Sequence, residues 1–125
     1  IVIKHTDNLK TYYYGFSNVE VVKEQELPDG NFPTIPKPNP EYPEVYELGI
    51  KLAREKGADV VIATDPDSDR FGMMVRNDKD EYVRFTGNMI GSMLTEYVLS
   101  SLKERGELTG NERVIKSIVT TNLIE

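Results

Sequence analysis

The chain has 125 residues and a formal net charge of −6. This acidity argues against nucleic-acid binding, because a phosphate backbone requires a basic protein surface. Cysteine is absent, which excludes disulfides and thiolate metal sites, and no apolar run approaches the ~20 residues of a membrane span. We therefore expect a cytoplasmic protein without membrane partners and with at most one domain of ordinary size. Since the sequence does not begin with Met, we expect it to be a fragment of a longer protein.

The first part of the chain contains two short β-branched runs. Residues 1–3 and 19–22 each predict a strand. The stretch between them is ambiguous, because Leu9 and Tyr12 have helical spacing whereas Asp7 favours a turn. It is barely long enough for the crossover between parallel strands, which needs about a dozen residues.

Residues 27–40 form a proline-rich segment that predicts an extended loop, because proline cannot donate to a sheet or continue a helix. We expect Asn39 to cap a helix whose first residue is Pro40 and which ends at Gly57. The buried stripe of this helix should consist of Val45, Leu48, Leu52 and Ala53.

The most informative stretch is the apolar run at residues 60–64 and the acidic loop that follows it. The run predicts a buried strand, which must end at Pro66 because proline has no N–H for the ladder. Asp65, Asp67 and Asp69 alternate just past its carboxyl end, where open α/β sheets place their ligands. Three like charges so close together repel unless a cation lies between them. Mg²⁺, which prefers oxygen ligands and often takes few carboxylates, is the natural candidate.

A solvated turn, an EF-hand and a haloacid-dehalogenase-type loop are the alternatives to this interpretation. A solvated acidic turn is the simplest, but it gives no reason for a buried strand to lead directly into it. An EF-hand would need Gly and Glu where this sequence has Arg70 and Arg76. A haloacid-dehalogenase-type loop fails because Asp69 occupies its final position. A structural Ca²⁺ site in a non-enzymatic binding module stays open as the alternative.

The second half of the chain continues with a predicted hairpin, in which residues 71–76 and 81–85 flank a polar turn. Thr86 should cap a second helix that ends at Gly106. Its buried stripe should consist of Ile90, Met93, Leu94, Tyr97, Val98 and Leu102.

Residues 114–120 predict a last strand. The alternation of strands with helices predicts an α/β protein, specifically a three-layer α/β/α domain with a mixed, mostly parallel sheet.

Three motifs resemble those of the second domain of the α-D-phosphohexomutases, the phosphoglucomutase/phosphomannomutase family, in both their order and their spacing. They are Pro28-Asp29-Gly30-Asn31-Phe32-Pro33, Pro38-Asn39-Pro40-Glu41 and Ala63-Thr64-Asp65-Pro66-Asp67-Ser68-Asp69-Arg70. The Asp-Gly-Asn-Phe-Pro and Ala-Thr-Asp-Pro-Asp forms favour the phosphoglucomutase branch, and the resemblance covers about residues 19–121. Residues 1–115 are accordingly interpreted as domain II of this family, and residues 116–125 as the start of the next domain.

The resemblance implies a four-domain isomerase that moves a phosphoryl group between C1 and C6 of a hexose phosphate, with glucose 1-phosphate and glucose 6-phosphate favoured. It assigns Asp65, Asp67 and Asp69 to Mg²⁺ and gives Arg70 a catalytic role beside a phosphoserine from the first domain. The implied partners are the hexose phosphate, a bisphosphate intermediate and the other domains of the same chain.

Several family motifs are absent from this sequence. His5 is followed by Thr6, so no Ser-His pair resembles the phosphoserine loop, and the family's phosphate-binding loop is also missing. Residues 106–110 imitate its sugar-selecting loop but follow the second helix, so we interpret them as a helix stop and surface loop. We therefore expect the 125-residue chain alone to be inactive. A complete small phosphotransferase would need a nucleophile besides the aspartates.

Overall fold

The structure is a computed structural model that describes residues 19–124. The strand expected at residues 1–3 and the connection after it lie outside the described residues. The chain divides into two compact units, of which the first ends at Phe85 and the second begins at Thr86. None of the helices within residues 19–124 is long and apolar enough to cross a membrane.

The first unit is built on a three-stranded antiparallel sheet in the order β1-β2-β3. Its strands are β1 (Val60–Thr64), β2 (Phe71–Arg76) and β3 (Tyr82–Phe85), and helix α1 (Glu47–Lys56) precedes them. The predicted central strand and hairpin are therefore confirmed. Both pairings are antiparallel, so the parallel pairs expected from the sequence are not found among the described strands.

Two predicted strands are not formed. Residues 19–22 lead into a 3₁₀ turn at Lys23–Gln25, because the carbonyl of Val22 accepts a hydrogen bond from the N–H of Gln25 at 3.0 Å. Residues 114–120 contain no strand, and Ile118 is 99% exposed. Both runs have β-branched side chains, but a strand also needs a partner for its backbone hydrogen bonds, and no described strand pairs with either run.

Helix α1 begins later than predicted because a second proline interrupts the approach. Asn39 accepts a hydrogen bond from the N–H of Glu41 at 2.9 Å, which closes a turn rather than capping the helix. Pro43 then restricts Tyr42 to extended backbone, with φ −94° and ψ 130°, so the helical path starts only after Tyr42. A 3₁₀ segment, Pro43–Tyr46, precedes α1.

The end of α1 is confirmed at Gly57, whose φ of 68° is the left-handed conformation that favours glycine. From the predicted stripe, Val45 and Ala53 are buried and Leu48 and Leu52 are half-buried. Val45 and Ala53 belong to the core, and the half-buried residue of α1 that packs against this core is Ile50. The core is formed by Ile35, Val45, Tyr46, Ala53, Val61, Ala63 and Met74.

The second unit contains helix α2 (Gly87–Glu104) and a 3₁₀ turn at Asn122–Ile124. The predicted cap is confirmed, since the Thr86 hydroxyl accepts a hydrogen bond from the N–H of Met89 at 3.2 Å. Gly106, with φ 69°, follows the helix end as predicted. Of the predicted stripe only Ile90 is buried.

The hydroxyl of Tyr46 lies directly against Gly72. Tyr46 is fully buried, and its hydroxyl donates to the carbonyl oxygen of Pro40 at 2.8 Å. A Cβ atom built on Gly72 would overlap this hydroxyl and would lie 3.0 Å from the Pro40 oxygen. Glycine is therefore required at position 72 because the tyrosine hydroxyl fills the space of a side chain.

We predict that Gly72→Ala lowers the free energy of unfolding by about 1–3 kcal/mol, the typical range for overpacking. Urea denaturation followed by circular dichroism measures this value. Gly30→Ala is the matched control, because no atom lies within 4 Å of its added Cβ, and its change should stay within about 0.5 kcal/mol. The cost of Gly72→Ala should shrink in a Tyr46→Phe background. Equal effects of the two glycine substitutions would contradict the contact.

Candidate metal site

The acidic loop joins β1 to β2 and is closed by its own backbone. Thr64 and Phe71 are the last paired residues, and the N–H of Asp65 donates to the carbonyl of Arg70 at 3.2 Å. Inside the loop, the N–H of Ser68 donates to the carbonyl of Asp65 at 3.1 Å, and Ser68 has a φ of 60°. A non-glycine residue seldom adopts this left-handed conformation, so the surrounding hydrogen bonds must hold it.

The three aspartates occupy different environments. Asp65 is only 1% exposed, whereas Asp67 and Asp69 are exposed to solvent. The difference follows from strand alternation, because Asp65 continues the series Val61, Ala63 on the face of the sheet that packs against the core. A buried carboxylate is tolerated only with hydrogen-bond partners or a counter-ion.

Arg70 supplies both the hydrogen-bond donors and the counter-charge for Asp65. Its backbone N–H donates to Oδ1 of Asp65 at 3.1 Å, and its Nε–H donates to Oδ2 at 2.8 Å. The same Nε lies 3.8 Å from Asp69, and the Arg70 side chain is 57% exposed. Within residues 19–124, no acceptor is recorded for the two terminal nitrogens of Arg70, so they stay available for an anion.

These contacts separate the acidities of the aspartates. Burial raises the pKa of Asp65, but hydrogen bonds from the Arg70 side chain and backbone and from Asp69 outweigh it, and the pKa falls to about 2. The pKa of Asp69 is raised, first by its hydrogen bond with Asp65 and then by repulsion from Asp65 and Asp67. The pKa of Arg70 is raised, chiefly by its hydrogen bond to Asp65. Asp65 is therefore more firmly ionised than Asp69.

The side chains come close enough to share one ion. One carboxylate oxygen from each of Asp65, Asp67 and Asp69 lies within 4.8 Å of the other two. Two ligands of one Mg²⁺ are separated by about 3.0–4.2 Å, given metal–oxygen bonds of ~2.1 Å. Each oxygen of Asp65 keeps a lone-pair direction beyond its bond to Arg70. The donor set thus fits a hard divalent cation after a small contraction. The three carboxylates lie together as predicted, and their binding of Mg²⁺ stays a prediction.

The loop also explains why a divalent charge suits this site. Three carboxylates and one guanidinium leave an excess of two negative charges in residues 65–70. Two of the carboxylates are exposed, so water can complete the coordination that Mg²⁺ requires. The geometry does not distinguish Mg²⁺ from Ca²⁺, because Ca²⁺ accepts longer bonds of about 2.3–2.6 Å.

The loop after α2 is closed by one of its own side chains. The carboxylate of Glu112 accepts hydrogen bonds from the backbone N–H groups of Thr109 and Gly110 at 2.6 and 2.9 Å. These backbone bonds and the Thr109 hydroxyl lower the pKa of Glu112 to about 2. Residues 106–110 are thus a surface loop fastened by its own glutamate, which agrees with the sequence-based interpretation.

Comparison with known proteins identifies the family. The sequence model of one family, described as phosphoglucomutase/phosphomannomutase, alpha/beta/alpha domain II, matches residues 7–79. The chain belongs to the phosphoglucomutase/phosphomannomutase family. The predicted α/β/α class is confirmed by this membership, which the helices and sheet of the described residues fit.

Relatives match over most of the chain. It is 38% identical over 111 residues to a phosphomannomutase of Mycoplasmoides pirum, 40% over 110 residues to a phosphoglucomutase of Staphylococcus saprophyticus, and 36% over 111 residues to a phosphoglucomutase of Staphylococcus haemolyticus. These alignments cover 88–89% of this chain but only 19–20% of the relatives, so the chain spans about a fifth of their length. No solved structure gives a significant match.

We predict that Asp65→Asn and Asp67→Asn have opposite effects on the metal-free chain. Asp65→Asn should lower the melting temperature by several degrees, because it removes the buried counter-charge of Arg70. Asp67→Asn, at an exposed position, should leave it unchanged or raise it slightly by relieving repulsion. Thermal unfolding at pH 7 with EDTA measures both.

The difference between the wild type and Asp65→Asn should depend on pH. A depressed carboxyl pKa stabilises the folded state above the ordinary value of 3.8, and this contribution disappears as the pH falls towards 2. The difference should therefore shrink over that interval. Equal melting temperatures for the two variants at pH 7 would show that the buried pair does not hold the loop.

Proposed function

We propose that this chain is the Mg²⁺-binding domain of a phosphosugar mutase. The complete protein would transfer a phosphoryl group between C1 and C6 of a hexose phosphate through a phosphoserine located in another domain. The observation that carries the proposal is the set of three converging carboxylates beside an arginine with two available nitrogens, in a member of this family. The short span of the chain relative to its relatives supports a contribution from other domains.

Asp65, Asp67 and Asp69 are proposed to hold the ion. Mg²⁺ bound there would act as a Lewis acid and template, neutralising charge on the transferring phosphoryl group. Asp65 is the fixed ligand, because Arg70 and the core determine its position. Asp67 and Asp69 are exposed and can adjust to the ion.

Arg70 is proposed to bind phosphate oxygens directly. Its Nε is engaged with Asp65, which orients the guanidinium so that both terminal nitrogens remain for a bidentate contact. A lysine would offer neither the Nε bond nor the paired donors. Phosphoryl transfer depends mainly on positioning and charge neutralisation, so such an arginine is a suitable catalytic group.

The substrate is proposed to be a hexose phosphate, with glucose 1-phosphate and glucose 6-phosphate favoured by the Asp-Gly-Asn-Phe-Pro form of the first motif. The bisphosphate intermediate and the other domains of the complete chain are the remaining partners, and the cytoplasm is the expected location. Relatives carry the names of both phosphoglucomutase and phosphomannomutase, which agrees with the substrate class.

A Ca²⁺-binding module without catalytic activity is the second candidate, because the spacing of the carboxylates also suits that ion. We predict that Mg²⁺ binds weakly, since three carboxylates supply only about half of an octahedral shell. Addition of inorganic phosphate should tighten binding in the wild type but not in Arg70→Ala. Calorimetric titration of Mg²⁺ and Ca²⁺ into both proteins, with Asp67→Asn as a metal-site control, measures this.

The two candidates give different results in that titration. A mutase domain should bind Mg²⁺ with an affinity that rises with phosphate. Tight Ca²⁺ binding that ignores both phosphate and Arg70→Ala would overturn the mutase proposal in favour of the binding module. Unchanged Mg²⁺ binding by Asp67→Asn would exclude the aspartate loop as the site.

Activity should require the complete protein. We predict that the 125-residue chain shows no conversion of glucose 1-phosphate in the presence of glucose 1,6-bisphosphate, because no phosphoserine motif is found in its sequence. A coupled assay for glucose 6-phosphate measures this, with the Asp65→Asn, Asp67→Asn and Asp69→Asn triple variant as blank. Turnover above that blank would contradict the division of the active site between domains.

A further inference from the structure

The hydroxyl of Tyr46 joins three segments that are separate in sequence. Tyr46 has the largest fully buried side chain in the described chain and lies where the 3₁₀ turn leads into α1. Its hydroxyl bonds to the carbonyl of Pro40 and occupies the space beside Gly72 at the start of β2. A buried hydroxyl must have a partner, so this bond holds the end of the proline-rich segment to Tyr46, which packs on the sheet at Gly72.

This contact lies at the base of the acidic loop. Gly72 pairs with Ala63, and the next pair, Thr64 with Phe71, closes residues 65–70. Successive pairs are about 3.4 Å apart along a strand. The Tyr46 hydroxyl therefore contacts the sheet at the pair Ala63–Gly72, one pair before Thr64–Phe71, the pair that closes the acidic loop.

A second bond holds the same segment. The Nη1 of Arg84, in β3, donates to the carbonyl of Glu41 at 2.8 Å. Burial raises the pKa of the Tyr46 hydroxyl, although the charge of Arg84 opposes this, so the hydroxyl stays protonated and continues to donate. The carbonyl of Glu41 is thus bonded to the sheet that carries the acidic loop, and the carbonyl of Pro40 is bonded to the tyrosine that packs on this sheet at Gly72.

We propose that Tyr46 is a positioning residue for the metal site, an inference that rests on the proposed function. The hydroxyl sets the distance between Pro40 and Gly72 and thereby the start of β2, which determines where Arg70 meets Asp65. Without the hydroxyl, the Pro40 carbonyl loses its donor and a gap opens beside Gly72. The base of the loop then gains freedom, and the carboxylates are less well placed for one ion.

The chain offers a matched control in Tyr82. Its hydroxyl also donates to a backbone carbonyl, that of Ala58, at 2.6 Å. Tyr82 belongs to the same sheet, but Ala58 precedes β1, at the end of that strand opposite to the acidic loop. Tyr82→Phe therefore removes the same atom and the same type of bond away from the proposed site.

Two measurements on the 125-residue chain separate positioning from a general loss of stability. The first is amide hydrogen exchange without metal, compared between the acidic loop (65–70) and the hairpin turn (77–80). The second is the affinity for Mn²⁺, a spectroscopic substitute for Mg²⁺, from the free-ion signal in electron paramagnetic resonance. Thermal unfolding of both phenylalanine variants accompanies them.

Tyr46→Phe should accelerate exchange in the acidic loop severalfold, leave the turn at residues 77–80 unchanged, and weaken Mn²⁺ binding by about tenfold, as loss of outer-shell support does. Tyr82→Phe should change neither the loop exchange nor the affinity. Should Tyr46→Phe prove too unstable to measure, Gly72→Ala, which pushes on the hydroxyl from the other side, should show the same pattern.

Equal loop exchange and equal Mn²⁺ affinity in the two phenylalanine variants would overturn the inference. A wild type that binds no Mn²⁺ would refute the proposed function instead. In that case hydrogen exchange alone decides the positioning claim, because it is measured without metal.

Discussion

The acidic loop depends on one ion pair, the buried carboxylate of Asp65 with Arg70. An unpaired charge in this position would be costly, since the carboxylate is 1% exposed. Arg70 satisfies both of its oxygens from within the same loop, through one backbone and one side-chain donor. The loop therefore carries its own counter-ion, and the exposed aspartates can face solvent with their charge available.

The three aspartates of the loop differ in their environment, although they look alike in the sequence. Asp65 connects the loop to the core of the first unit, whereas Asp67 and Asp69 supply exposed charge. The Nε of Arg70 holds Asp65, and its two terminal nitrogens, which have no acceptor among residues 19–124, are the donors proposed to bind phosphate. In the proposed site, Asp65 binds the metal ion and Arg70 binds the phosphate. The ion pair between these two residues therefore couples the two ligands electrostatically. The proposed mutase chemistry requires such coupling, since metal and phosphate must be bound together.

The ends of the helices and of β1 could be predicted from the sequence. Pro66 ends β1, Gly57 and Gly106 follow helix ends, and Thr86 caps α2, because each effect involves neighbours in sequence. The prediction of strands at residues 19–22 and 114–120 was wrong, because strand formation depends on partner strands that no local pattern specifies. The burial of Asp65 follows from the inward alternation of β1, which is a signal that the sequence itself contains.

The support beneath the loop could not be inferred in the same way. Tyr46 was not included in the predicted stripe of α1, although it is completely buried. The Tyr46 hydroxyl contacts the carbonyl of Pro40 and the space beside Gly72, and these three residues come from three separate segments. Each of these residues is ordinary in its local sequence, and only the fold makes the hydroxyl occupy the space of the missing side chain. Metal ligands can be recognised by their chemistry, but the residues that hold them in place are recognised by shape.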